Sequence, residues 1–172
     1  MLGLHENLIL VGLRGSGKTT LGGDLAASLQ RPFVDLDDRL ASLAGESADD
    51  VLAHQGEPAF RNIERAVLLQ AAQLRGAVIA TGGGAVLHRR EMAGLAATGC
   101  VVFLDVPLAL LLERARARPR PRLCGGSIED EFVALSEERR SSYDELAQIT
   151  LSSPDVRSIL GELNGWPFRS HG

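Results

Sequence analysis

An α/β fold built on a doubly wound parallel β-sheet, with helices on both faces and a mobile lid, follows from three observations on the 172-residue chain. Short, continuously apolar runs recur along it, helical patterns lie between them, and a glycine-rich turn joins the first run to the first helix. Uninterrupted apolar runs suit strands of a parallel sheet, which are covered on both faces and show no alternation. Strands that alternate with helices place ligands beyond the carboxyl ends of the strands, so each chemical motif is sought there.

In chain order, "NLILVG" from Asn7 is the first strand, and a helix follows the glycine loop over Thr19 to Gln30. "PFVDLD", Pro32 to Asp37, is a second strand that mixes apolar residues with two acids, and Asp38 begins a further helix. Glu57 to Leu74 reads as a long helix, "AVIAT" (Ala77 to Thr81) as the third strand and "CVVFLDV" (Cys100 to Val106) as the fourth. Leu108 to Arg118 follows "DVP" with proline in a helix-starting position. "RARARPRPRLCGGS", Arg114 to Ser127, crowds arginine, proline and glycine into what reads as a flap. A helical stretch carries Arg139 and Arg140 and ends at Tyr143, and "AQITLS" (Ala147 to Ser152) supplies a fifth strand.

The length accommodates one domain over 1–172, large enough to bury a core without disulfide or metal. With 45% hydrophobic and 23% charged residues the chain is neither disordered nor a fibre. A net charge of −4 argues against a general nucleic-acid binder, and two cysteines suit a reducing compartment. No apolar run approaches a membrane span and no secretory leader is apparent. The expected setting is cytoplasmic, with no nucleic-acid or membrane partner and a monomeric chain.

The chemistry begins in "GLRGSGKTT". Gly12, Gly15, Ser16, Gly17, Lys18, Thr19 and Thr20 match the P-loop, a strand, a glycine turn whose N–H groups wrap phosphate oxygens, and a helix. Lys18 would bridge the outer phosphates, Thr19 would hold Mg²⁺ through its hydroxyl, and the helix N-terminus adds positive potential. ATP and Mg²⁺ are therefore the expected cofactors. The fold is then a P-loop nucleoside-triphosphate-binding one, but the loop alone does not say where the phosphoryl group goes.

Four further patterns bear on the acceptor, whose binding region is placed at about 35–64. Asp35 and Asp37, two apart in a strand, would point to one face, one supporting the metal and the other meeting a hydroxyl. Arg61 and Glu64 are i,i+3 neighbours at the start of the long helix. "TGGGAV" brings Gly82, Gly83 and Gly84 after a strand, where backbone can approach a ligand closely. The arginines of the flap, about 114–128, suit a lid closing over the transferring phosphoryl, and Arg61 with Arg139 suggests a carboxylated acceptor.

Taken together, "GLRGSGKTT", "DLD", "FRNIE", "GGGAV", "RPRL" and "ERRSSY" resemble, in order and spacing, the motifs of the shikimate kinases, from Leu8 to about Leu163. The resemblance implies transfer of phosphate from ATP to the 3-hydroxyl of shikimate within aromatic amino-acid biosynthesis. It places shikimate on Asp37, Arg61, Gly83, Gly84 and Arg139, with Gly82 beside them. It makes Lys18, Asp37 and Arg120 the catalytic groups, gives Asp35 and Thr19 the metal, and assigns the nucleotide to Arg114 and Arg120 besides the loop. "RPRPRLCGG" offers two lid registers, Arg118 or Arg120, and Arg139 is chosen by counting four back from Tyr143. A kinase for another small polyol acid, such as gluconate, and a ligand-binding sensor without turnover are the rival readings.

Overall fold

The first apolar run becomes β1 (Asn7–Val11), every residue of which is buried, because it lies at the centre of a five-stranded parallel sheet. The computed structural model describes residues 2–117 and 127–166. Across the sheet the order is β2 (Phe33–Asp35), β3 (Val78–Ala80), β1, β4 (Gly99–Leu104) and β5 (Ile149–Leu151). Leu10 pairs with Ala80 on one side and with Val102 on the other, so β1, β3 and β4 end at nearly the same height. The P-loop and the glycine triplet thus emerge side by side.

Helices fill the connections: α1 (Lys18–Leu29), α2 (Leu36–Ala44), α3 (Ala48–Ala71), α4 (Arg89–Ala96), α5 (Leu108–Ala117), α6 (Ile128–Leu146) and α7 (Val156–Asn164). α1 packs on β1, β2 and β3 and against α7, whereas α4 and α6 pack on β4 and against each other. The sheet is the middle layer, and Leu8, Ile9, Leu10, Ile79, Val101 and Val102 form its fully buried centre. Asn7, the one polar residue of β1, is also buried. Its amide donates to Leu74 O (2.7 Å) and Thr98 Oγ1 (2.9 Å) and accepts from Ala77 N (2.9 Å), joining the loops that enter β3 and β4.

The helices α4 and α7 have no counterpart in the sequence reading, and two further elements near the site differ from it. The second strand stops at Asp35, and Leu36 already begins α2, because the Asp35 carboxylate caps the helix by accepting from Asp37 N at 2.9 Å. The long helix expected from Glu57 is the latter part of α3. Its backbone breaks at Gly56 (φ 80°, ψ 170°), and Pro58 sits just beyond, where a missing N–H costs no intrahelical bond. The preceding residues, 48–55, form a further helical stretch capped by Ser47, whose hydroxyl accepts from Asp50 N at 3.1 Å. Among the described residues no helix is long and apolar enough to cross a membrane. Cys100 is fully buried in β4.

Candidate active site

Local sequence dictates the phosphate loop. Gly12 has φ 147°, and a Cβ there would lie 2.9 Å from Leu104 O, so only glycine permits the close passage of β1's end against β4. Gly17 adopts a left-handed conformation (φ 95°) and serves as the N-cap of α1, which turns the first N–H groups of the helix into the loop. Within the turn, Lys18 Nζ donates to Gly12 O (2.8 Å), Leu13 O (2.9 Å) and Ser16 Oγ (3.4 Å). Burial pushes the Lys18 ammonium down to about 8, against the opposing pull of Asp37 and Asp35 and with a small push from Arg139.

Thr19 and Thr20 lie exposed on the first turn of α1. The Thr19 hydroxyl donates to Asp35 Oδ2 at 2.6 Å. This pair puts two oxygens beside the loop, the type of donor atom a hard divalent cation takes. Asp35 and Asp37 do face one site, but not by the pleat of an extended strand. The Asp35 cap turns the chain into α2 and carries Asp37, itself exposed, beside the glycine triplet, where its Oδ1 would be 2.7 Å from a Cβ on Gly82.

The triplet Gly82–Gly84 forms the wall between the two halves of the cleft. A Cβ on Gly83 would lie 3.3 Å from Arg14 N on the phosphate loop and 3.6 Å from Arg139 Nη1. One on Gly84 would lie 3.0 Å from Arg61 Nη1 and 4.0 Å from Arg139 Nη1. Arg61 and Arg139, 78 positions apart in the chain, therefore converge on one glycine. Arg139 is 5% exposed, held in the inner face of α6, and two further residues of that helix steady the region. Tyr143 OH donates to Gly83 O at 2.8 Å, and burial raises its phenol above the usual range, so it stays a donor. Glu131, near the start of α6, takes Arg14 Nη2 at 2.9 Å, joining the phosphate loop to the same helix.

Arg61 lies between two carboxylates. Glu64 Oε2 accepts from Nη1 at 2.7 Å, and Glu57 Oε1 accepts from Nη2 at 3.2 Å and Nε at 3.3 Å. Glu64 is 9% exposed, so the i,i+3 pair is a built part of the cleft rather than a surface contact. Arg114, in the last turn of α5, donates from Nη1 to Gly15 O at 2.7 Å and so lies on the phosphate loop. Arg116 donates to Glu129 and ties the end of α5 to the start of α6. Arg118 and Arg120, the two lid candidates, lie outside the described residues.

The chain that carries this cleft is matched by known proteins along most of its length. The family model for shikimate kinase matches residues 14–159. The chain belongs to the shikimate kinase family. It is 42% identical over 156 residues to the shikimate kinase of Symbiobacterium thermophilum, covering 89% of each chain, and 41% identical over 148 residues to that of Stenotrophomonas maltophilia, covering 86% of this chain and 82% of the relative. Among solved structures it superposes on shikimate kinase from Acinetobacter baumannii in complex with shikimate, with a TM-score of 0.87, 32% identity and 94% of each chain covered.

Sequence reasoning did not single out two participants in this shikimate kinase cleft. His88 approaches Glu64 Oε2 at 3.0 Å, and no motif marked it, since it follows the triplet as an isolated histidine. The Arg14 and Glu131 pair went unnoticed because its partners are 117 positions apart and Glu131 lies in none of the motifs.

Proposed function

We propose that the chain transfers the terminal phosphoryl group of ATP to the 3-hydroxyl of shikimate, giving 3-phosphoshikimate and ADP in the chorismate and aromatic amino-acid pathway. The observation that carries this reading is the position of Gly83, where an added Cβ would lie within 4 Å of Gly12 O and Arg14 N of the phosphate loop on one side and of Arg139 Nη1 on the other. A triphosphate held by the loop and an acid held by Arg61 and Arg139 are then neighbours across one residue.

In this reading the acid's carboxylate meets Arg61 and Arg139, whose planar forks suit two oxygens at once. Gly82, Gly83 and Gly84 let the ring lie against backbone. Asp37 orients the acceptor hydroxyl and takes its proton, while Lys18 meets the charge that grows on the transferring phosphoryl. The loop residues Gly12, Gly15, Ser16, Gly17, Thr19 and Thr20 cradle the phosphates with N–H and hydroxyl donors. Arg114 stays beside the loop on the nucleotide side, and Arg120 is assigned by resemblance to the phosphoryl group.

Mg²⁺ bound with ATP would neutralise phosphate charge during transfer, and Thr19 with Asp35 would hold it. The fit rests on the paired oxygens of Thr19 and Asp35 already meeting beside the loop. A cytoplasmic monomer is the accompanying inference, checked by sedimentation of the purified chain.

The deciding experiment is coupled ADP release with ATP and Mg²⁺, with and without shikimate. The reading expects release to depend on shikimate and not on gluconate. Release that gluconate supports equally, or tight nucleotide binding without turnover, would overturn it.

A further inference from the structure

His88 is a buried polar side chain that the phosphoryl-transfer chemistry does not use. It stands at the turn between the 3₁₀ segment Ala85–Leu87 and α4, four residues after Gly84. The turn fixes its backbone, since its N–H donates to Ala85 O at 3.0 Å and its C=O accepts from Met92 N at 2.9 Å. Its side chain is 9% exposed, as is that of Glu64, the carboxylate it approaches at 3.0 Å. A carboxylate can only accept, so the imidazole donates from Nε2.

The Glu64 oxygen that receives this bond is the one that accepts from Arg61 Nη1. A glutamate tied to a single neighbour on its own helix keeps freedom about its side-chain bonds, and ordering it costs entropy. A second donor from another element removes that freedom. Glu57, on the outer side of Arg61, cannot supply the same stiffness, because its side chain is 67% exposed and its contacts are longer. The pair of exposed Arg65 with buried Glu91 adds a second tie between α3 and α4, at 2.9 Å, so the two helices keep their relative position. Glu64 Oε1 lies 3.7 Å from where a Cβ on Gly84 would be, which sets this carboxylate at the rim of the triplet itself.

We propose that His88 is a positioning residue of the acceptor site: by donating to the Glu64 oxygen shared with Arg61, it holds that guanidinium where the acceptor's carboxylate arrives. The proposal rests on Arg61 meeting that carboxylate. It distinguishes the two substrates, since the relay from α4 through His88 and Glu64 reaches Arg61 and does not touch the phosphate loop.

The test is steady-state kinetics of His88→Ala and His88→Gln with each substrate varied in turn. His88→Ala is expected to raise KM for shikimate by about five- to tenfold, the net effect of one ordinary hydrogen bond acting through Arg61, with kcat and KM for ATP within about twofold. His88→Gln, whose amide N–H reaches the position of Nε2, is expected to restore KM for shikimate to within about twofold of the wild type. An unchanged KM for shikimate, a parallel rise in both KM values, or a glutamine variant no better than alanine would overturn the proposal. Should the alanine variant not fold, the glutamine variant decides together with the imidazole ¹⁵N spectrum of the wild type, which must show a proton on Nε2. A bare Nε2 would refute the donor role. Arg61→Ala separates the two layers: if it leaves KM for shikimate unchanged, the acceptor reading fails, and if it raises KM while His88→Ala does not, only the relay fails.

Discussion

The two ends of the cleft are constructed by opposite means. The proposed phosphate end is one continuous stretch, Gly12 to Thr19, of backbone groups and a single buried lysine, its shape set by glycine conformation. The proposed acceptor end is assembled from side chains on three helices set around the glycine turn after β3: Asp37 on α2, Arg61 and Glu64 on α3, and Arg139 on α6. A site made of contiguous backbone is robust to the packing of distant helices. One made of converging side chains depends on every element that carries them.

Loss of the central cation should have the largest effect of all. Lys18→Ala is expected to lower kcat by about a hundred- to a thousandfold, the range seen when one preorganised donor to a developing charge is removed. Substrate-saturated ADP release measures it, and a loss confined to KM would break the assignment of Lys18 to the phosphoryl group. Next comes the acceptor end: Arg139→Ala should raise KM for shikimate by about ten- to a hundredfold while KM for ATP moves little, because a buried charge-assisted pair is removed. An equal rise in both KM values would show that the two ends are not separate.

The wall between them predicts a smaller loss. A methyl added by Gly82→Ala would meet Asp37 Oδ1 at 2.7 Å, so the carboxylate must move. A displacement of that size from the acceptor hydroxyl should cost about tenfold in kcat with the melting temperature nearly unchanged. The pH response of nucleotide binding is finer still. With Lys18 lowered to about 8, ATP affinity should weaken by a few-fold as pH rises through that value, and ATP binding near pH 8 should take up a proton. Calorimetry in buffers of different ionisation enthalpy reads the uptake. The sign for stability follows from the same shift: below about pH 8 the folded, nucleotide-free chain bears the full cost of a buried ammonium, and that cost fades toward the ordinary lysine value of 10.5. Lys18 alone therefore makes this form more stable across that interval, and Lys18→Met should flatten the slope. The smallest effect belongs to Tyr143→Phe, which removes one hydrogen bond to Gly83 O and should cost about 1 kcal/mol of stability.

The same contrast governs what could be read from the chain alone. The strands of the parallel sheet were legible because burial on both faces demands continuous apolar runs, as in "NLILVG" and "CVVFLDV". The phosphate loop was legible because its chemistry is local. At the proposed acceptor end the motifs supplied the candidates, but the geometry was misjudged at Asp35 and Asp37. A helix cap, not a strand pleat, brings the two acids together, and a cap depends on where a strand ends, which the apolar pattern of three residues could not mark. The first part of α3, before Glu57, was missed; Gly56 and Pro58 mark a break inside a longer helical segment. His88 was invisible for a different reason: its role exists only through Glu64, 24 positions away, and a lone histidine carries no spacing to read.

The central claim is that two guanidinium groups grip the acid in the same cleft that holds the triphosphate, each end binding its own ligand. The most direct measurement is calorimetric titration of the double variant Arg61→Ala, Arg139→Ala with shikimate and, separately, with ATP and Mg²⁺. The account predicts that shikimate binding falls below detection while ATP affinity stays within about threefold of the wild type, since the loop donors are untouched. Shikimate binding at wild-type strength would contradict it outright.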